Sequence, residues 1–114
     1  AADALTNVMV EDLATIRPVQ ELEIVLEHRE LDLLLFAFLQ ELVYYKDARR
    51  LLLRPAAIAI TDGGTTLKLQ AAVRGEEIDT SRHPMVVDVK AVTLHRFAVE
   101  QRDGTWRATV VLDI

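Results

Sequence analysis

Ser81 stands two residues before His83 in a polar stretch, a hydroxyl and a base near enough in the chain to meet. Acyl transfer also needs an acid to orient the base and donors to hold an oxyanion, and the neighbouring sequence supplies neither. His28, His83 and His95 lack the short paired spacing of zinc ligands. The chain has no cysteine, which excludes disulfides, zinc-thiolate sites and thiol catalysis. Glu21, Glu23 and Glu27 are a candidate carboxylate set, but alternate acids on a strand usually serve as a solvated face. Gly63-Gly64 is not followed by the lysine-bearing helix that a phosphate-cradling loop requires. Two features remain. Asp113 is followed by Ile114 and its α-carboxylate, two hard oxygen groups of the type that suits Ca²⁺ or Mg²⁺, although two groups fall short of either ion's ligand number. Lys90 is the second, a cation some distance ahead of them.

The element that must position both is the C-terminal stretch Val89 to Ile114, which reads as two strands joined at Asp103-Gly104, a pair that favours the positive φ of tight hairpin turns. With those two residues as the loop, Arg102 faces Thr105, Glu100 faces Arg107, Val99 faces Ala108, Phe97 faces Val110 and His95 faces Leu112. One face then carries Trp106, Ala108, Val110 and Leu112 with Val99 and Phe97, and is predicted to turn toward the core; His95 falls on that side. In this register Leu94 is the partner of Asp113, and Lys90 lies roughly 13 Å further along the strand. Lys90 and Asp113 are therefore predicted to stay apart unless a bulge or bend intervenes.

The remaining elements follow from periodicity. Ala1 to Val10 has a helical stripe of Leu5, Val8 and Met9 with no capping residue before it. After Arg17-Pro18, Leu22, Ile24 and Leu26 alternate with Glu21, Glu23 and Glu27, a half-buried strand with a charged outer face. A helix is predicted from about Leu33 to Tyr45, capped by Asp32, apolar around most of its circumference, with Gln40 and Glu41 marking its wet side. Ile58 and Ile60 alternate before Asp62-Gly63-Gly64, and Leu67, Leu69, Ala71 and Val73 after it, a second hairpin. The chain is predicted to leave the sheet at Arg74-Gly75-Glu76 and to form a polar loop to His83-Pro84. These elements make an α+β domain with a mainly antiparallel sheet of about five strands and two helices packed on one face.

Length and charge narrow the function. A chain of 114 residues with half its residues apolar makes one domain with one core. Its net charge of −5 argues against direct nucleic-acid binding, since Arg49-Arg50 and Arg54 are its densest basic group. The longest apolar run, Leu33 to Leu39, is too short for a membrane span, and no signal peptide is evident. A cytoplasmic location is expected.

Lys90-Ala91-Val92-Thr93-Leu94-His95, together with Trp106-Arg107-Ala108-Thr109-Val110-Val111-Leu112-Asp113-Ile114 at the terminus, resembles the archease family. The match continues through Gly75-Glu76, Ile78-Asp79 and His83, and through the helix bearing Leu31-Asp32-Leu33-Leu34 and Glu41-Leu42-Val43-Tyr44. The resemblance implies a non-enzymatic protein cofactor that promotes guanylylation of the GTP- and metal-dependent tRNA-splicing RNA ligase and sustains its turnover. It implies that Lys90 and Asp113 are needed for that activation, and that Asp113 and Ile114 ligate a divalent cation such as Ca²⁺. The family's third ligand is the aspartate of a His-Thr-Ala-Asp motif on a first strand. No such motif occurs here, so residues 1–114 are expected to be an archease-like domain lacking that strand. Leu94 departs from an aromatic residue common in the family. Two readings from other classes stand beside this one: a metal-dependent phosphoester hydrolase using Asp113, and a general chaperone or methyltransferase helper that exposes the helix around Phe36 and Phe38.

Overall fold

Alternation of apolar and acidic residues from Gln20 to His28 forms strand β1, in which Ile24 is buried while Glu21, Glu23 and Glu27 are exposed. The structure, a computed structural model, describes residues 9–10, 13–83, 85 and 88–114. The predicted first helix lies outside the described residues except for Met9 and Val10, and Val10 forms an isolated antiparallel bridge with Met85. A short 3-10 turn at Leu13–Thr15 leads into β1.

Helix α1 runs over Leu31–Arg49, longer at both ends than its apolar run implies. Asp32 is not its cap: Glu30 occupies that position without a side-chain bond, and Asp32, in the first turn, accepts the N–H of Leu33 at 2.9 Å. The helix ends where Arg50 adopts φ 52° and sends its N–H to Tyr45 O, a left-handed C-terminal stop.

Strands β2 (Leu51–Asp62) and β3 (Leu67–Glu77) form the second hairpin as predicted. Its loop is held by Gly63 N–H to Thr66 O and by Gly64 N–H to Asp62 Oδ1, both at 2.9 Å. β3 is central, with β1 and β2 antiparallel on either side. β4 (Ala91–Arg102) and β5 (Thr105–Asp113) form a separate two-stranded antiparallel sheet. The five strands therefore divide between two sheets rather than joining in one, and the described residues contain one α-helix, not two on a single face. α1 packs against all three strands of the first sheet and against β4 of the second. Its apolar circumference follows from that position. A helix with partners on two sides has little wet face to mark. Leu34, Phe38, Leu39, Leu42 and Val43 are buried. Phe38 is thus core rather than a docking residue, and Phe36 is half-buried against Phe97.

β3 does not leave the sheet at Arg74 but continues through Glu77, opposite Leu51–Leu53, three consecutive buried leucines at the start of β2. Gly75 makes this possible. A Cβ at that position would stand 1.7 Å from Leu52 O, so only glycine allows the two backbones this approach. Gly75→Ala is expected to force the strands apart at a cost of about 1–3 kcal/mol or more, measurable as a lower midpoint in urea denaturation.

Candidate functional site

The terminal hairpin is built from its turn outward. Asp103 and Gly104 both have positive φ, 50° and 77°, the conformation for which an Asp-Gly pair is suited. The register from Arg102–Thr105 through Glu100–Arg107 to Ala98–Thr109 is the expected one. It then shifts. Thr93 pairs with Val111, Val92 with Leu112 and Ala91 with Asp113, so four residues of β4, Leu94 to Phe97, stand against Val110 alone. This bulge places Arg96 at φ 53°, a conformation that L-residues adopt at some cost. The predicted partners Phe97–Val110, His95–Leu112 and Leu94–Asp113 are corrected accordingly.

Burial explains why the shifted register wins. Val92 is buried opposite half-buried Leu112, while Leu94, His95 and Arg96 turn outward to solvent. An unbroken ladder would set His95 against Leu112 and drive Val92 past the end of β5. Phe97 packs edge-on to Phe36 of α1, with ring centroids 5.6 Å apart and planes at 87°, a favourable aromatic geometry. Trp106 does not face the core. It is 59% exposed, and every residue from 100 to 109, the outer part of the hairpin, is exposed with it. It lines an open apolar groove with Leu31, Leu35 and Ile60.

The bulge also overturns the separation of Lys90 from Asp113. The N–H of Lys90 donates to Asp113 O at 2.7 Å. Ala91 shares Asp113's face, and Lys90 is one residue earlier, so the two charged side chains leave one strand end from adjacent positions of opposite facing. Both are exposed, as is Ile114. Lys90 and Ala91 border an open cleft of about 520 Å³ with Gln40, Glu41, Tyr44 and Asp47 of α1. Gln40 is no wet-side marker: its Oε1 accepts the N–H of Val92 at 3.0 Å. Lys46 of α1, 4% exposed, gives its Nζ to Asp47 at 2.6 Å and to Asp88. Burial alone would depress that ammonium, but the bonds from Asp47 and Asp88 outweigh it and hold its pKa above the usual lysine value. The bond to Lys46 in turn lowers the pKa of Asp88.

The sequence touches a second polar cluster, at Glu76, Asp79 and His83, chiefly through the family resemblance, and does not foretell its contacts. Glu76, 6% exposed, receives Arg82 Nη1 on Oε1 at 2.5 Å and Nη2 on Oε2 at 2.7 Å. Its Oε1 also accepts the N–H of Arg17 at 2.8 Å and bonds His83 Nε2 at 2.9 Å. His83, 1% exposed, is no surface loop residue. Its Nδ1 accepts the N–H of Asp79 at 2.9 Å, so Nε2 carries the proton that Glu76 receives. The Arg82 fork, acting against the effect of burial and helped by the Arg17 and His83 bonds, lowers the Glu76 pKa to about 2. Ser81 Oγ donates to Asp79 Oδ1 at 2.6 Å rather than to His83, so the serine and histidine do not form a nucleophile–base pair. The only local signal was Asp79-Thr80-Ser81, whose Asp79 Oδ1 also takes the Ser81 N–H at 3.0 Å in an Asx turn.

Asp113 and Ile114 do not by themselves fit a Ca²⁺ ion. Among the described residues no group of three or more His, Cys, Asp or Glu is placed to hold a metal ion, whereas Ca²⁺ takes six to eight oxygens. Glu21 on the outer face of β1 lies instead 3.3 Å from Arg74 Nε of β3. No helix among the described residues is long and apolar enough to cross a membrane.

Fold and site together define a small α+β domain in which a helix clasped by two sheets presents one charged strand end at the surface. The model of the Archease protein family (MTH1598/TM1083) matches residues 1–114. Protein archease of Methanopyrus kandleri is 34% identical over 114 residues, all of this chain and 81% of that protein. Protein archease of Pyrococcus abyssi is 33% identical over 113 residues, 98% of this chain and 76% of that one. The solution structure of Methanobacterium thermoautotrophicum protein 1598 superposes with a TM-score of 0.85 at 29% identity, covering this whole chain and 80% of that one. An archease from Thermotoga maritima, described as a possible chaperone, shares the fold with a TM-score of 0.58 at 17% identity over 99% of this chain and 80% of that one. The chain belongs to the archease family.

Proposed function

We propose that this protein is a non-enzymatic activator of the tRNA-splicing RNA ligase, promoting guanylylation of the ligase in the presence of GTP and a divalent metal, and that Lys90 and Asp113 are the residues it presents to that partner. The observation that carries the reading is the pairing of Ala91 with Asp113 across the bulge, which brings the backbones of Lys90 and Asp113 together at one exposed strand end, their side chains leaving it on opposite faces. Charged groups fixed on paired strands cost little further ordering when they meet a partner. The experiment is direct: mix the full chain with its cognate ligase, GTP and Mn²⁺, and follow covalent guanylate on the ligase. Acceleration supports the reading; an unchanged rate defeats it. The hydrolase reading gains no support, because among the described residues Asp113 belongs to no group of three or more His, Cys, Asp or Glu placed to hold a metal ion.

Asp113 and Ile114 would supply two of the ligands of a divalent cation in this reading, with the rest coming from outside the described residues. Calorimetric titration of this chain with Ca²⁺ is accordingly expected to show binding weaker than about 10⁻³ M. Saturable binding at micromolar concentration would mean that the chain holds a complete ligand set.

A further inference from the structure

β4 has β5 on one side and, among the described residues, no strand on the other. The buried amide of Val92, second residue of β4, is taken by a helix side chain, Gln40 Oε1 at 3.0 Å. Two residues earlier, the N–H of Lys90 reaches Asp113 O. Two residues earlier again, Asp88 is bonded by Lys46, which lies six positions after Gln40 in α1. The segment 88–92 is thus tied to the same helix at both ends, with Lys90 midway between the ties. Val89 and Val92, both buried, hold its apolar side.

From this we infer that Gln40 is a positioning residue for the activating site: by accepting the Val92 amide it holds the paired strand ends in the register that sets Lys90 beside Asp113. The inference rests on the proposed role of those two residues. Gln40 touches neither side chain's charge and acts only through the β4 backbone. The Lys46–Asp88 tie grips the segment four residues upstream of that amide, so without Gln40 the Val92 N–H loses its side-chain acceptor and the first pairs of the hairpin, Ala91–Asp113 and Val92–Leu112, are held by β5 alone.

Gln40→Met keeps the length and apolar bulk of the side chain and removes the acceptor, whereas Gln40→Glu retains an acceptor oxygen. Two measurements on the full chain test the inference. Amide hydrogen exchange is expected to show Val92 losing protection about tenfold or more in Gln40→Met, with Glu100 and Arg107 near the hairpin turn unchanged. In the ligase assay, Gln40→Met is expected to lower the maximal guanylylation rate about tenfold, with the half-saturating concentration changed less than about threefold. Gln40→Glu is expected to restore both readouts. A Gln40→Met protein that activates like the parent, while Lys90→Ala does not, overturns the role of Gln40 and leaves the site standing. If Lys90→Ala also activates like the parent, the site itself is wrong and the inference falls with it. Loss of exchange protection along the whole hairpin, unrescued by Gln40→Glu, would reduce Gln40 to a general stabiliser and overturn the inference as well.

Discussion

Glu76→Ala is expected to remove about 3–5 kcal/mol of folding stability, the usual cost of breaking a buried charged pair from one side. The substitution deletes the acceptor for the Arg82 fork, the Arg17 N–H and the His83 Nε2–H at once. Against the 5–15 kcal/mol typical of small domains, that loss brings the variant near unfolding at physiological temperature. Glu76→Gln keeps one acceptor oxygen and gives up the charge, so it should lie between the variant and the parent. The pH dependence has a definite sign. The Glu76 pKa falls from an ordinary 4.5 to about 2, so ionised Glu76 favours the folded state above pH 4.5, and that contribution is lost as pH falls toward 2. Its full size is about 3 kcal/mol. Urea midpoints should therefore separate parent from Glu76→Gln by a constant margin at neutral pH, and the margin should close as pH drops from 4.5 to about 2. Equal midpoints at pH 7 would show that the cluster is ornamental to stability.

What could be read from the sequence was local, and what could not was set by distant partners. β1, the Asp62–Thr66 hairpin loop and the Asp103-Gly104 turn were legible because alternation and turn chemistry are properties of adjacent residues. The bulge was not. Leu94-His95-Arg96-Phe97 continues a plausible alternation, and only the burial of Val92 and the contact of Phe97 with Phe36, sixty-one positions away in the chain, select the interrupted register. Trp106 misled for a related reason. A large aromatic on an apolar face argues for burial, but the groove that Trp106 lines with Leu31, Leu35 and Ile60 is open and leaves it exposed. Glu76 and His83 read as exposed loop residues because the partners that satisfy them when buried, each other and, for Glu76, Arg82 and the Arg17 N–H, meet only in the fold. The proposed site residues Lys90 and Asp113 came from family resemblance, and the residue-level physics, working with an unbroken ladder, held them apart. One bulge reverses that conclusion.

Lys90→Ala and Asp113→Ala are each expected to reduce activation of the ligase about 10- to 100-fold. A charge-assisted contact is worth roughly 1.5–3 kcal/mol, and each 1.4 kcal/mol is a factor of ten. Stability should barely move, because both side chains are exposed and the bond that joins the two positions, from Lys90 N–H to Asp113 O, belongs to the backbone. That separation of activity from stability is what distinguishes them from Glu76. The double replacement carries the stronger test. If the two groups meet a single feature of the partner from neighbouring positions, they act as a unit, and Lys90→Ala/Asp113→Ala should cost little more than either change alone. Independent contacts would instead multiply their losses. Guanylylation rates for the two single variants and the double, with urea midpoints measured alongside, decide between these outcomes. Losses that multiply would mean that the bulge joins two separate contacts, whereas a shared loss would make the strand end one composite contact created by the register shift at Leu94–Phe97.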